Sequence, residues 1–246
     1  MPNAFRCDVD MLTANDDGSA PTAERRLLVV HTFEGRDLSA ESMAAYQQSP
    51  DAGGSYTLVI DRDGRTAREN DDEFRPWAAG STGNRVGWHF SLAGQAAFSR
   101  EQWLARTAQL TTLARVLAAY SKAYRIPLDL LDARRVAAGA RGVCGHAEIS
   151  AAWREVDHTD PGRGFPFDVV LDLARKVNTP VTPTPGPTPA GTDAYAVDAR
   201  AQLTGSPNLS EYPGWRQLGG RTVVDALAKL GHQLGVPGFL DPDAPR

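Results

Sequence analysis

The stretch from Asn178 to Thr192 reads NTPVTPTPGPTPAGT, with five prolines and no charged residue. A segment of this composition buries no core and favours an extended, semi-stiff spacer. A surface loop of that length inside one compact domain is uncommon. The chain therefore divides into a larger domain at residues 22–177, a Pro/Thr linker at 178–192 and a small module at 193–246. Residues 1–21 read as an N-terminal extension.

The larger domain mixes strand and helix signals. Leu27–Val30 is a short apolar run of buried-strand type. Ser55–Asp61 reads as a second strand, and Asp63-Gly64 as a turn that opens a hairpin into Thr66–Glu69. Arg85–Leu92 reads as another strand. Helices are expected at Glu41–Gln47, Ser99–Tyr124, Asp132–Gly139 and Phe165–Val177. Ser99 is the N-cap of the long one and Pro127 stops it. Trp103, Leu110, Leu113, Leu117, Tyr120 and Tyr124 recur at helical spacing and form a core stripe. The expected class is α/β: a mixed central β-sheet flanked by helices, plus a small, mainly helical C-terminal module. In that module Val223, Val224, Ala226, Leu227, Leu230 and Leu234 follow helical spacing.

His31 ends the first apolar run. Two later segments offer it partners, Gly145-His146-Ala147-Glu148 and His158-Thr159-Asp160-Pro161-Gly162. Three ligands of the His/Asp/Glu type with an open fourth position are what a catalytic zinc site uses. Each residue alone has a plainer reading: a buried or surface imidazole for the histidines, a turn-capping carboxylate for Asp160.

Bulk properties narrow the field. Net charge is −4 and the isoelectric point about 5.7, which argues against nucleic acid as the partner. No run of 18 apolar residues marks a membrane span, and the first twenty residues lack the apolar core of a secretory signal. Cys7 and Cys144 read as two reduced thiols, with a disulfide between them left open.

Three segments carry a resemblance to a known family: HTFEG at 31–35, SYTLVIDRDG at 55–64, and CGHAEIS with DHTDPGRGFPFD between 144 and 168. Their order and spacing resemble the amidase-2 family of zinc N-acetylmuramoyl-L-alanine amidases. That family is related to peptidoglycan recognition proteins, and the amidase domains of actinobacteriophage endolysins are the nearest type. The resemblance implies a hydrolase that cuts the amide between N-acetylmuramic acid and L-alanine. It implies Zn2+ held by His31, His146 and Asp160, with His158 stabilising the transition state and Tyr56 orienting water or the substrate carbonyl. Thr57 stands where many relatives have His or Asn.

Some relatives take their general base from a strand glutamate, but the corresponding segment here, GWHFSLAG, has no acid. Glu34 is the first candidate for that role and His89 the second. Glu148 is a candidate for orienting a ligand imidazole, and otherwise a solvated surface acid. Cys144 lies near a ligand but is expected to be a buried thiol. The C-terminal piece YPGWRQLGGRTVVDAL resembles a module of actinophage lysins, with Tyr212 and Trp215 as candidate sugar platforms.

The expected partner is bacterial peptidoglycan, met by a monomer that neither inserts in membranes nor binds nucleic acid. Without an export signal, the expectation is synthesis in a host cytoplasm and a holin-type route to the wall. Two other functions stay open at this level: a non-catalytic peptidoglycan-binding module, and a zinc peptidase acting within the stem peptide.

Overall fold

Leu27, Leu28, Val29 and Val30 are all fully buried, as expected of a strand covered on both faces of a largely parallel sheet. In the computed structural model, which describes residues 3–178, this run is the first half of strand β3 (Leu27–Thr32). Its neighbours are β7 (Gly87–Leu92) and β8 (Gly142–Gly145), both parallel to it. On the far side of β7 come β4 (Leu58–Ile60), β5 (Thr66–Arg68) and β1 (Val9–Asp10), giving the order β1-β5-β4-β7-β3-β8. β4 is antiparallel to β5, so the sheet is mixed. A separate antiparallel pair joins β2 (Asp16–Ser19) to β6 (Phe74–Pro76). Residues 8–20, read from sequence as part of an extension, thus supply one strand to each sheet.

Alternation along the strands sorts the two faces. Leu28, Val30, Trp88 and Phe90 face a core shared with α3 (Arg100–Leu104), α4 (Thr107–Tyr124) and α7 (Phe167–Asn178). Leu27 and Val29 face the other way, against α2 (Gly80–Val86), α5 (Ala133–Ala137) and α6 (His146–Trp153). On that second face Val59 and Ala67 pack against α1 (Ala40–Gln47) in a separate cluster. His31, His89 and Ser91 fall on the same face by alternation and are fully buried.

The strand and helix expectations held in kind and shifted at their ends. The expected long helix from Ser99 is two helices. Arg106 leaves helical geometry at φ −100° and ψ 49°, and its buried guanidinium donates to the Ala93 carbonyl and pairs with Asp37. Trp103 therefore sits on α3, apart from the rest of its stripe. The expected strand from Arg85 begins at Gly87, because Arg85 and Val86 close α2. α2, β8 and α6 were not foreseen. Both Cys7 and Cys144 are free thiols, and Cys144 lies in the core with its pKa raised by burial. Apart from Asn178, which closes α7, the linker and the C-terminal module lie outside the described residues.

Candidate metal centre

The register of the parallel strands creates the site. β8 pairs with β3 only as far as Val30 and Gly145, so the residue that follows each of them is free of that ladder. Those residues are His31, still on β3, and His146, the first residue of α6. The carboxyl ends of parallel strands are where open α/β sheets collect ligands. Asp160 closes the group from the loop after α6. Its carbonyl accepts from Ala147 N–H at 3.0 Å, and its Oδ2 accepts from Thr32 N–H at 3.1 Å.

His31 Nδ1 lies 3.3 Å from Asp160 Oδ2, and His146 Nδ1 lies 3.2 Å from Asp160 Oδ1. Among the described residues, these three offer ligand atoms within 4.8 Å of one another. All three are buried: His31 is 0%, His146 3% and Asp160 4% exposed. Burial pushes His31 down to about 4, against the opposing pull of Asp160, so the ring is neutral at pH 7. Burial raises Asp160, but His146 and His31 more than offset it and hold the carboxyl well below the usual range.

The donor set fits a zinc ion. It consists of two imidazoles and one carboxylate, the ligand types zinc accepts. His31 Nδ1 is buried without a well-aligned hydrogen bond, and so is His146 Nε2. Buried polar atoms without partners are costly, and a bound cation would satisfy the lone pair of His31.

A groove of about 380 Å³ opens over this cluster and is lined by Glu34, Tyr56, Trp77, His146, His158 and Asp160, among others. The Tyr56 ring is half-buried, 5.1 Å from that of His31, and desolvation raises its phenol pKa. His158 is largely exposed. It stacks on His146 at 4.5 Å with a 6° interplanar angle, and its Nδ1 is 3.9 Å from Asp160 Oδ1. Glu34 adopts the left-handed region at φ 54°. Its Oε1 accepts from Ala96 N–H at 2.7 Å and from the Thr32 hydroxyl.

The sequence-derived site residues thus collect around one groove, with two exceptions. His89 is fully buried, with its ring nitrogens facing His31 and Gly83, so it cannot serve a substrate as general base. Glu148 accepts from Gly145 N–H at 2.9 Å at the start of α6 rather than orienting an imidazole. Trp77, on the groove wall and 37% exposed, was missed. Nothing local in the sequence marks it, because it is placed by the β2–β6 pairing and by its Nε1–H bond to Asp17 at 2.9 Å.

The mixed sheet carries a two-histidine, one-aspartate cluster that could hold a metal ion at its carboxyl edge. The chain belongs to the N-acetylmuramoyl-L-alanine amidase family, whose model matches residues 21–163, and is an amidase-family hydrolase. A second model, described as the Rv3766 C-terminal domain, matches residues 188–236. The fold is similar to that of Staphylococcus aureus hydrolase AmiA, solved with its ligand: TM-score 0.56, 16% identity, covering 71% of this chain and 85% of that one. It is also similar to an AmpD structure, with TM-score 0.51 and 20% identity, over 73% of this chain and 99% of that one. No curated protein matches the chain.

Proposed function

We propose that the protein is a zinc-dependent endolysin-type amidase that cleaves the bond between N-acetylmuramic acid and L-alanine in peptidoglycan. The observation that carries this reading is the convergence of His31, His146 and Asp160 within 4.8 Å beneath an open groove. These three residues would hold the ion. Bound there, zinc supplies Lewis acidity, polarising a carbonyl and bringing the pKa of water towards about 7.

The chain's own groups do the rest. Glu34, exposed on the groove, accepts the proton of the attacking water and returns it to the departing L-alanine nitrogen. His158 donates a hydrogen bond to the carbonyl oxygen as charge builds there. The Tyr56 phenol stays protonated and donates to the same carbonyl or orients water. Residues 193–246 act as a wall-binding module, and the linker at 178–192 raises the effective concentration of substrate at the groove. The match of residues 188–236 to a separate domain family supports that division.

The decisive experiment digests purified actinobacterial sacculi with the full chain, with and without chelator, and analyses the fragments by mass spectrometry. The expected products are intact glycan and stem peptides with a free L-alanine N-terminus, lost on chelation and restored by zinc. Cleavage inside the stem peptide would make it a peptidase instead. Binding without release of any fragment would make it a recognition module.

A further inference from the structure

His89 takes no part in these proton transfers, yet it is 0% exposed and directly behind a ligand. Its Nδ1 lies 3.0 Å from His31 Nε2, and its Nε2 lies 3.2 Å from the Gly83 carbonyl oxygen. A carbonyl only accepts, so His89 Nε2 carries a hydrogen. Among the described residues no carboxylate is bonded to His89, so nothing holds a second proton on the ring and its Nδ1 is a bare lone pair. The hydrogen between the two rings then belongs to His31 Nε2. That leaves a bare lone pair on His31 Nδ1, the buried nitrogen without an aligned partner, 3.3 Å from Asp160 Oδ2.

We infer that His89 is a positioning residue, the middle of a tautomer relay from the Gly83 carbonyl to His31 that aims the Nδ1 lone pair of His31 at the metal. This inference rests on the ligand set proposed above. Ligand histidines commonly donate their outer N–H to a carboxylate, a carbonyl or water. Here the acceptor is a second imidazole whose own tautomer is fixed by the main chain of α2. An imidazole adds no charge to a site sealed from water, where an unpaired carboxylate would be costly.

The surroundings are shaped for the ring. A Cβ on Gly87 would stand 2.7 Å from His89 Nε2 and 3.0 Å from its Cε1. A Cβ on Gly83 would stand 2.8 Å from Ala79 Cβ and 3.1 Å from Ile149 Cγ2, so the turn bearing the carbonyl packs closely. The Thr57 hydroxyl accepts from His89 N–H at 3.0 Å and fixes the strand at this point. The Gly83 carbonyl has no tautomer of its own, so the far end of the relay has one setting.

Two measurements on the full chain test the relay. In metal-free protein with 15N-labelled histidine, the spectrum should show His31 protonated at Nε2 and bare at Nδ1. The reverse tautomer would overturn the inference without needing any variant. Zinc affinity is then measured by competition with a chromophoric chelator. His89→Leu, which removes the acceptor, should weaken binding about ten- to a hundredfold. His89→Asn, which offers an oxygen near the place of Nδ1, should stay within a few fold of wild type. Equal loss in both variants, or loss in neither, would overturn the relay while the ligand set stood. Failure of the wild type to take up zinc would remove both.

Discussion

The main-chain N–H of Thr32 donates to Asp160 Oδ2 at 3.1 Å, across 128 residues of sequence. The strand that presents His31 therefore also grips the candidate ligand Asp160 with its next amide. Two of three donor positions are fixed by one strand end, and the third, His146, follows from the register of β8 on β3. Sites placed on packed elements in this way hold their geometry before the ligand arrives.

Asp160→Asn separates this suture from metal binding. The amide keeps an oxygen for Thr32 N–H but replaces an anionic donor with a neutral amide, a much poorer zinc ligand. Zinc per purified chain should fall from about one to near zero, with lysis abolished and far-UV circular dichroism unchanged. Retention of stoichiometric zinc in this variant would rule out Asp160 as a ligand.

Glu34 and His158 should affect turnover and leave the ion in place. Glu34→Gln keeps an acceptor for Ala96 N–H but cannot take a proton, and kcat should drop by about 10²–10⁴. His158→Ala should lower kcat while zinc content stays at wild-type level, because His158 is 58% exposed and its Nδ1 is 3.9 Å from Asp160. Zinc lost together with His158 would instead make that ring a fourth ligand.

What the sequence makes legible follows from the range of each signal. Leu27–Val30 is readable because four consecutive apolar residues need no partner to declare burial. His31, His146 and Asp160 are readable because their segments keep family spacing. α6 is hidden because its N-terminal cap is Gly145, whose side chain offers nothing, and the Glu148 carboxylate serves the end in its place. The break at Arg106 is hidden because its causes, the Ala93 carbonyl and Asp37, are far away in the chain. His89 shows only half its meaning in sequence. Gly87, His89 and Ser91 alternate with Trp88, Phe90 and Leu92, which marks a polar strand face, but not what that face touches.

Gly162 sets the loop that carries Asp160. Its φ is +85°, and a Cβ there would stand 1.9 Å from the Ala96 carbonyl oxygen. Gly139 has a similar φ of +83° with nothing within 4 Å. Gly139→Ala should therefore incur only the left-handed backbone cost, about 1–2 kcal/mol. Gly162→Ala adds a backbone clash, so its melting temperature should fall further and its zinc affinity should drop as the loop shifts. Equal melting temperatures in the two variants would mean that the loop relaxes freely and does not hold Asp160 in place.

Glu69 gives the pH prediction. It is fully buried beneath Tyr56, whose N–H donates to its Oε2 at 2.7 Å. Turned so that its amide nitrogen faces the carboxylate, Gln47 puts that nitrogen 2.7 Å from both Glu69 oxygens. Burial pushes the carboxyl up to about 8, against the pull of the Tyr56 N–H, and the Gln47 donor narrows that rise. A carboxyl with a folded pKa above its unfolded value binds more protons when folded. Its contribution is complete below the unfolded value near 4.5 and is lost as pH climbs towards the folded one, so this group makes the fold less stable between about pH 5 and 8. Glu69→Gln removes the titration, and Gln47 can reverse its amide to satisfy the new side chain. The variant should gain melting temperature relative to wild type at pH 8 and gain little at pH 5. Melting curves with parallel pH dependence in the two proteins would show that Glu69 stays ionised throughout, held by Gln47 and Tyr56 more strongly than burial opposes it.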